Sequence, residues 1–514
     1  MKTPIRFLFT LLCAAIVSLP SVHAATTYTV QNTGDGAANA ANCPGSGCRL
    51  RDALAAVVDG DTIDFSVTTP TTITLTNGQL VVGNSITITG LGANLLTVDA
   101  NHASRVFYIN SGKTVTISGL TITNGNVSND DGGGIFNDHA TLTVNNCTVS
   151  GNSAFDAGGI YNDGTNGGSA TLTVNNCTLS GNSATAADNG GGGIFNDGTG
   201  GGSATLTINN STLSGNSAPG AAGGGIFNFG EDGRATLTVN NSTLSGDSDR
   251  GIFNDGFTGR ATLTIGSTII NDASGGNIFN FAGTVTSQGY NLSSDVGVIN
   301  VVGGTGALNA TGDQINTDPM LGPLQDNGGP TFTHALLGGS LAIDKGKNFT
   351  TATTDQRGTG FARTVNLGFP EPTGGDGTDI GAFEVQAPVC PLGQGYWKNN
   401  PNAWPLHTLP MTLGSQTYTK PLLLKILSTP VGKGTKADAS LILADQLIAA
   451  KFNIANGANG TPVTSTIMNA DSLLTSHPVG SHVKPSSSTG QAMINDANVL
   501  NNFNNGLLTL GCGL

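Results

Sequence analysis

Between residues 132 and 283, apolar and polar positions alternate in a phrase that returns again and again. In TLTV, Leu142 and Val144 share one face of a strand while Thr141 and Thr143 take the other, and Leu172, Leu206, Leu237 and Leu263 repeat the arrangement. Asn145-Asn146 interrupts the period, and Cys147 and Val149 restart it. Ahead of each such segment stands GGGIFND or a variant of it, anchored by Ile135, Ile160, Ile194, Ile226, Ile252 and Ile278 at intervals of 25, 34, 32, 26 and 26 residues. A unit thus predicts three short strands and no helix. Parallel strands ordinarily need a long crossover, but a chain that coils lays each strand on its counterpart one coil earlier. The prediction is an all-β solenoid, a right-handed parallel β-helix. The intervals are shorter than the roughly 40–45 residues of a four-stranded propeller blade. The extra residues of the longer coils, GTNGGS and ATAADN, are turn formers, so they belong to surface loops.

The pattern changes on either side of the array. Residues 1–24 carry Lys2, Arg6, an apolar run over 7–19 and small residues at the end, as in a secretory signal peptide. Residues 25–62 predict a strand followed by a short amphipathic helix over 50–58, ended by Gly60, which would plug the open end of the solenoid. Residues 63–317 hold the coils, irregular at first and regular over 132–283. Residues 318–387 read as the end of the β-helix. From 388 to 514 the period turns helical: Leu441, Ala444, Leu447, Ile448 and Phe452 share a core face within 437–455, and further helices are expected near 420–428, 464–476 and 489–505. No apolar run past the leader reaches the roughly 18 residues of a transmembrane helix.

Composition adds an acidic balance. Without the leader, 18 basic residues stand against 33 acidic ones, which makes nucleic acid and anionic membranes poor partners. Six cysteines remain, an even number suited to an oxidising compartment. Cys43 and Cys48 flank a tight PGSG loop, and Cys390 and Cys512 bracket the last domain, so each pair predicts a disulfide. Cys147 and Cys177 share a register in successive coils, about 4.8 Å apart, which a disulfide tolerates. Later coils carry Ser211, Ser242 and Ser267 there, so a ladder of small inward residues is the competing reading.

Several stretches carry resemblances. CRLRDA at 48–53 resembles the bacterial CSLREA motif found at the start of secreted β-helix proteins, with Arg49 and Asp52 departing from it. DPMLGPLQDNGGPTFTHALLGGSLAIDKG, TDQRGTGFAR and DIGAFE, over 318–384, resemble the choice-of-anchor Q domain. The array is similar to those of right-handed parallel β-helix proteins, including polymorphic outer-membrane adhesins. CPLGQGYWKNNPNAWP resembles a GYWKNHPxxWP module of exported bacterial proteins, with Asn400 in place of its histidine. These resemblances imply a secreted or outer-surface bacterial protein and attach no catalysis to any residue.

Candidate chemistry is sparse. Asp138, Asp163, Asp197 and Asp255 form a column of carboxylates, broken by Phe229 and Phe281, that reads either as a calcium site or as Asn-Asp-Gly turn chemistry. Asn137, Asn162, Asn196, Asn228, Asn254 and Asn280 read as a structural amide ladder. Phe136, Tyr161, Phe195, Phe227, Phe253 and Phe279 form an aromatic column opposite the isoleucines. If the isoleucines point inward, the rings lie outside, under loops or as a platform for stacking glycans or a partner. Trp397 and Trp404 either stack on a sugar or anchor a core. Arg234, Arg250 and Arg260 fall in loops, and His139 has no equivalent in other coils. The expectation is a secreted or cell-surface binding or adhesion protein for an extracellular glycan or surface protein. It is expected to be no enzyme and to carry no cofactor, calcium being the one considered. The alternative is a polysaccharide lyase or glycoside hydrolase acting on an extracellular polysaccharide, because pectin-degrading enzymes share the β-helix.

Overall fold

A computed structural model describes residues 24–186, 190–220, 223–271, 275–387, 390–508 and 512. The expected signal peptide falls outside the described residues except for Ala24. The chain divides into two units, residues 1–364 with 368–385, and residues 365–367 with 386–514.

In the first unit each repeat makes one coil of three strands, for example Ile160–Asp163, Ser169–Asn175 and Thr178–Ser180. Coils stack in parallel, with register shifts at Gly223–Ile226 and Ile265–Gly266, and Ile135, Ile160, Ile194, Ile226, Ile252 and Ile278 pair in sequence. The result is a parallel β-solenoid with one ten-stranded and two nine-stranded sheets. Their faces are called here the isoleucine sheet (strands such as Ile135–Asp138), the threonine sheet (Thr141–Asn145) and the third sheet (Thr148–Ser150). Ile160, Leu172, Val174 and Leu179 of one coil are wholly buried. Such side chains contribute roughly 1.5–3 kcal/mol each, against a backbone entropy cost of about 1–2 kcal/mol per ordered residue. A lone coil therefore cannot hold, and stacking supplies the stability. The Asn that breaks the alternation turns the corner: Asn146, Asn176, Asn210 and Asn241 have φ of 51°, 53°, 52° and 47°, a left-handed geometry asparagine tolerates.

Helix α1 (Leu50–Ala56) closes the first end, burying Leu50, Ala53 and Leu54 in the solenoid core. It stops two residues short of the expected 58, at Val57 in extended conformation. Asp52 anchors it from a fully buried position, accepting from Arg49, Asn42 and the Asn39 amide. Burial works against its charge, but these donors win and hold the carboxyl well below the usual range. The Cys43–Cys48 disulfide is formed beside it.

Beyond Val298–Val301 the regular coils stop, whereas the sequence pattern carries them to residue 384. Residues 318–364 and 368–385 instead return as a strap along the outside of the third sheet. Phe332 O accepts from Thr178 Oγ1, Gln356 Oε1 from Thr212 Oγ1, and Thr243 Oγ1 takes the Ala382 amide. Thr178, Thr212 and Thr243 point away from the coil core yet are at most 2% exposed. The DQR and DIGAFE phrases lock this strap. Arg363 donates to the Asp379 and Gly381 carbonyls, Arg357 pairs with Asp355, and Glu384 accepts from the Asp379 amide. The polar phrases thus fasten loop backbone rather than build coils.

The second unit is mostly helical: α2 (Gln394–Asn399), α3 (Lys420–Ser428), α4 (Ala439–Ala455), α5 (Thr464–Ser476) and α6 (Ser488–Asn504). The sequence period anticipates all but α2. Trp397 and Trp404 pack against Phe452 in its core, and Cys390–Cys512 is bonded. No described helix is long and apolar enough to cross a membrane.

Candidate functional site

The isoleucine sheet decides where the candidate residues sit. Along Ile194–Asp197, Ile194 and Asn196 point inward and are fully buried, so Phe195 and Asp197 face outward. The outward rings are nevertheless covered: Tyr161, Phe195, Phe227 and Phe253 are 7, 2, 0 and 8% exposed. They form a second apolar cluster outside the coil core, with Ala157, Phe229 and Phe281 packed in and the flanking Phe136 and Phe279 half-buried. Ring centroids lie 4.7 Å apart for Phe227–Phe253 and 5.1 Å for Phe136–Tyr161. Arg105 sits 5.0 Å over Phe136 and Arg250 3.7 Å over Phe279, a cation at each end of the stack.

The expected aspartate column does not converge as a set of four. Asp197 is 6% exposed and accepts the Tyr161 hydroxyl, while Asp255 lies two coils on, past Phe229, and caps the Phe257 amide. What does converge is Asp138, His139 and Asp163, with ligand atoms all within 4.8 Å of one another. Parallel stacking sets Asp138 directly beside Asp163, and His139, at φ 46°, turns its ring back over both. Nδ1 faces Asp138 Oδ1 at 2.5 Å and Nε2 faces the Thr165 carbonyl at 3.0 Å. Both ring nitrogens face acceptor oxygens, so the protonated ring can donate through both. Burial opposes that charge, but Asp138, Thr165 and Asp163 outweigh it and raise the His139 pKa above its ordinary value. The Tyr108 hydroxyl donates to Asp138 Oδ2 at 2.8 Å, and burial with that bond pushes the phenol up to about 12. Calcium prefers six to eight oxygens; this corner offers two carboxylates, and its histidine nitrogens already have partners.

Two further carboxylates escaped the sequence reading. Asp131 and Asp156 precede the glycine runs of consecutive coils, and the Asp156 amide donates to Asp131 Oδ1. Burial, Asp131 and Asp197 together raise Asp156 to about 7. Their signal was positional, an acid just before GG in both SNDDGGG and AFDAGG.

A channel of 610 Å³ runs over the far edge of the threonine sheet, lined by Thr116, Asn145, Asn175, Thr207, Asn209, Asn240 and Phe349 among others. The sequence pattern gave no hint of it, because its second wall is the strap.

Of the remaining candidates, Cys147 and Cys177 are free thiols in the core, so their candidate disulfide is not formed and the ladder of small residues holds. The Cys147 amide points at Cys177 Sγ, and Ser211 and Ser242 continue the same row. Trp397 and Trp404 are 1 and 3% exposed, which leaves no ring face for a sugar. Arg234 and Arg260 stack on an exposed rim.

No family model matches the chain, and no curated protein matches it. The resemblances at 48–53 and 318–384 therefore stand on their motifs alone. Among solved structures, the chain is similar to pectate lyase Pel9A at 15% identity and a TM-score of 0.40, over 71% of this chain and 97% of that one. It is also similar to a rhamnogalacturonan lyase at 13% identity and a TM-score of 0.30, over 61% and 96%. The likeness is one of fold. Both neighbours are named as polysaccharide lyases, which runs against the expectation that the chain is no enzyme; that expectation is withdrawn, and the likeness itself assigns no activity to this chain.

Proposed function

We propose that the solenoid is an extracellular carbohydrate-active enzyme that cleaves a polysaccharide at the corner built by Asp138, His139 and Asp163. The observation that carries this reading is their convergence within 4.8 Å with all three side chains half-buried. Breaking a glycosidic bond needs one group that gives a proton and one that takes it. Nδ1 of His139 stays on Asp138, and the imidazolium donates from Nε2 when the glycosidic oxygen displaces the Thr165 carbonyl; Asp163, whose Oδ2 lies 3.8 Å from Nδ1, is the acceptor. Tyr108 fixes the Asp138 carboxylate through the bond to its second oxygen. Disulfides at Cys43–Cys48 and Cys390–Cys512 support an extracellular setting.

The test is release of reducing ends, with ultraviolet detection of unsaturated products, from a panel of neutral and acidic plant and bacterial polysaccharides. His139→Asn and Asp163→Asn should each lower turnover by about 10²- to 10⁴-fold with the melting temperature retained. Folded wild-type protein that releases nothing from any polymer, or variants as active as wild type, would overturn the assignment.

A further inference from the structure

We infer that the channel between the threonine sheet and the strap is a holding site for one extended, uncharged polysaccharide chain, apart from the cleaving corner. The inference extends the polysaccharide reading above. Two asparagine rows leave each coil side by side at this edge, and they do different things. The left-handed row fastens the strap: Asn210 Nδ2 donates to Thr354 O, and Asn241 bonds both the Lys347 carbonyl and the Phe349 amide. The neighbouring row faces the channel. Asn175 donates to Asn145, Asn209 to Asn175 and Asn240 to Asn209, at 2.9, 3.0 and 3.1 Å. Asn175, Asn209 and Asn240 each spend one N–H on the preceding rung and keep a second over for a guest.

At the last rung the lack of a partner is explicit. Asn240 is 9% exposed and lines the channel, yet its Oδ1 is buried with no hydrogen-bond partner among the described residues. Gly266 follows Asn240 in register and offers no further amide, so a guest hydroxyl takes that oxygen once the Asn240 side chain turns toward the channel. Phe349, half-buried on the strap side, supplies an apolar ring beside the amides, the usual complement to the C–H face of a sugar. A second hollow of 550 Å³ continues the first through Ser118 and Asn146, lengthening the path. The coils repeat at about 4.8 Å, close to the advance of one sugar ring in an extended glycan, so each rung meets one residue of the guest.

Charge selects the class. None of the residues lining the first channel is ionisable. The one cation of the second, Arg357, is spent on Asp355 and packed between Phe361 and Phe383 at 3.9 and 3.8 Å. With a formal charge of −13 on the whole chain, a polyuronate finds nothing here to neutralise it, whereas hydroxyl-rich neutral chains match rows of amides and threonines.

Isothermal titration of the whole protein with cellohexaose, xylohexaose, mannohexaose and hexagalacturonic acid tests this. At least one neutral hexasaccharide should bind and the uronate should not. Thr207→Arg, which places a bulky cation on a half-buried rung, and Phe349→Ala should weaken that binding by about ten-fold or more with unchanged melting. His139→Asn should bind like wild type, which separates this site from the cleaving corner. If the protein cleaves nothing but holds a neutral hexasaccharide that Thr207→Arg releases, the catalytic reading falls and the channel stands. Tighter binding of the uronate, neutral binding indifferent to both channel variants, or binding of no hexasaccharide would overturn the inference. So would concentration-dependent dimerisation abolished by Thr207→Arg, which would make a second copy the occupant.

Discussion

Phe227 is wholly buried, with Phe195 and Phe253 stacked at 4.8 and 4.7 Å, although its strand turns it away from the coil interior. Phe227→Ala should cost roughly 3–5 kcal/mol in urea denaturation, and the half-buried Phe136→Ala clearly less. His139 yields a pH signature. Its folded pKa is raised, so the stability from its contact with Asp138 and Asp163 is fully present below about pH 6.5 and is lost as pH rises through the folded value. Activity that needs the imidazolium should fade over the same alkaline limb, and His139→Asn should flatten the stability profile there; denaturation midpoints at pH 6 and 9 check it. The period-two pattern made the opposition of Ile and Phe legible, and in-register repetition made the Asp138–Asp163 adjacency legible. Phe229 follows Phe227 in the same alternation and joins the outer rings, but Ala157 reaches them from the turn ahead of the next strand, which the alternation does not encode. His139 occurs once in the array, so repetition carries no signal for it; its placement comes from the turn that folds it over the neighbouring coil.

Among the elements, the amide ladders reward repetition and expose a single departure from it. Asn152 bonds Asn182, Asn182 bonds Asn216, and the row ends on Asp247, which accepts from Asn216 at 2.9 Å. Burial raises the Asp247 carboxyl to about 7, so the folded chain keeps a proton that the unfolded chain releases near 4. Stability therefore falls as pH climbs from about 4 to 7. Asp247→Asn should remove that slope and raise stability at pH 8 by on the order of 2–4 kcal/mol, seen by comparing chemical denaturation at pH 5 and pH 8. Coils, inner ladders and most helices were readable because their signals are local: an alternation of two, a helical spacing, a Gly stop. The strap was not. It has no period, and its bonds to Thr178 and Thr212 join residues 154 and 144 positions apart, a pairing no local pattern encodes. The channel inherits that opacity, since half its wall is strap.

For the molecule as a whole, the two units draw on different fastenings. Reducing Cys390–Cys512, which closes a loop of 122 residues, should destabilise the helical unit by about 4–5 kcal/mol on the chain-entropy estimate. The solenoid's circular dichroism should survive that treatment. Arg363→Ala removes the donor to the Asp379 and Gly381 carbonyls and should cost about 2–4 kcal/mol, with protease cuts appearing first within 318–385. The strap also orders events in time. Thr178, Thr212 and Thr243 belong to coils made early in synthesis, but the segment that covers them is made more than a hundred residues later and is not complete until residue 385. A nascent solenoid therefore waits with its third sheet bare, offering hydroxyls and backbone to whatever is nearby. A chain halted near residue 317 should accumulate as aggregate rather than as a shorter soluble solenoid.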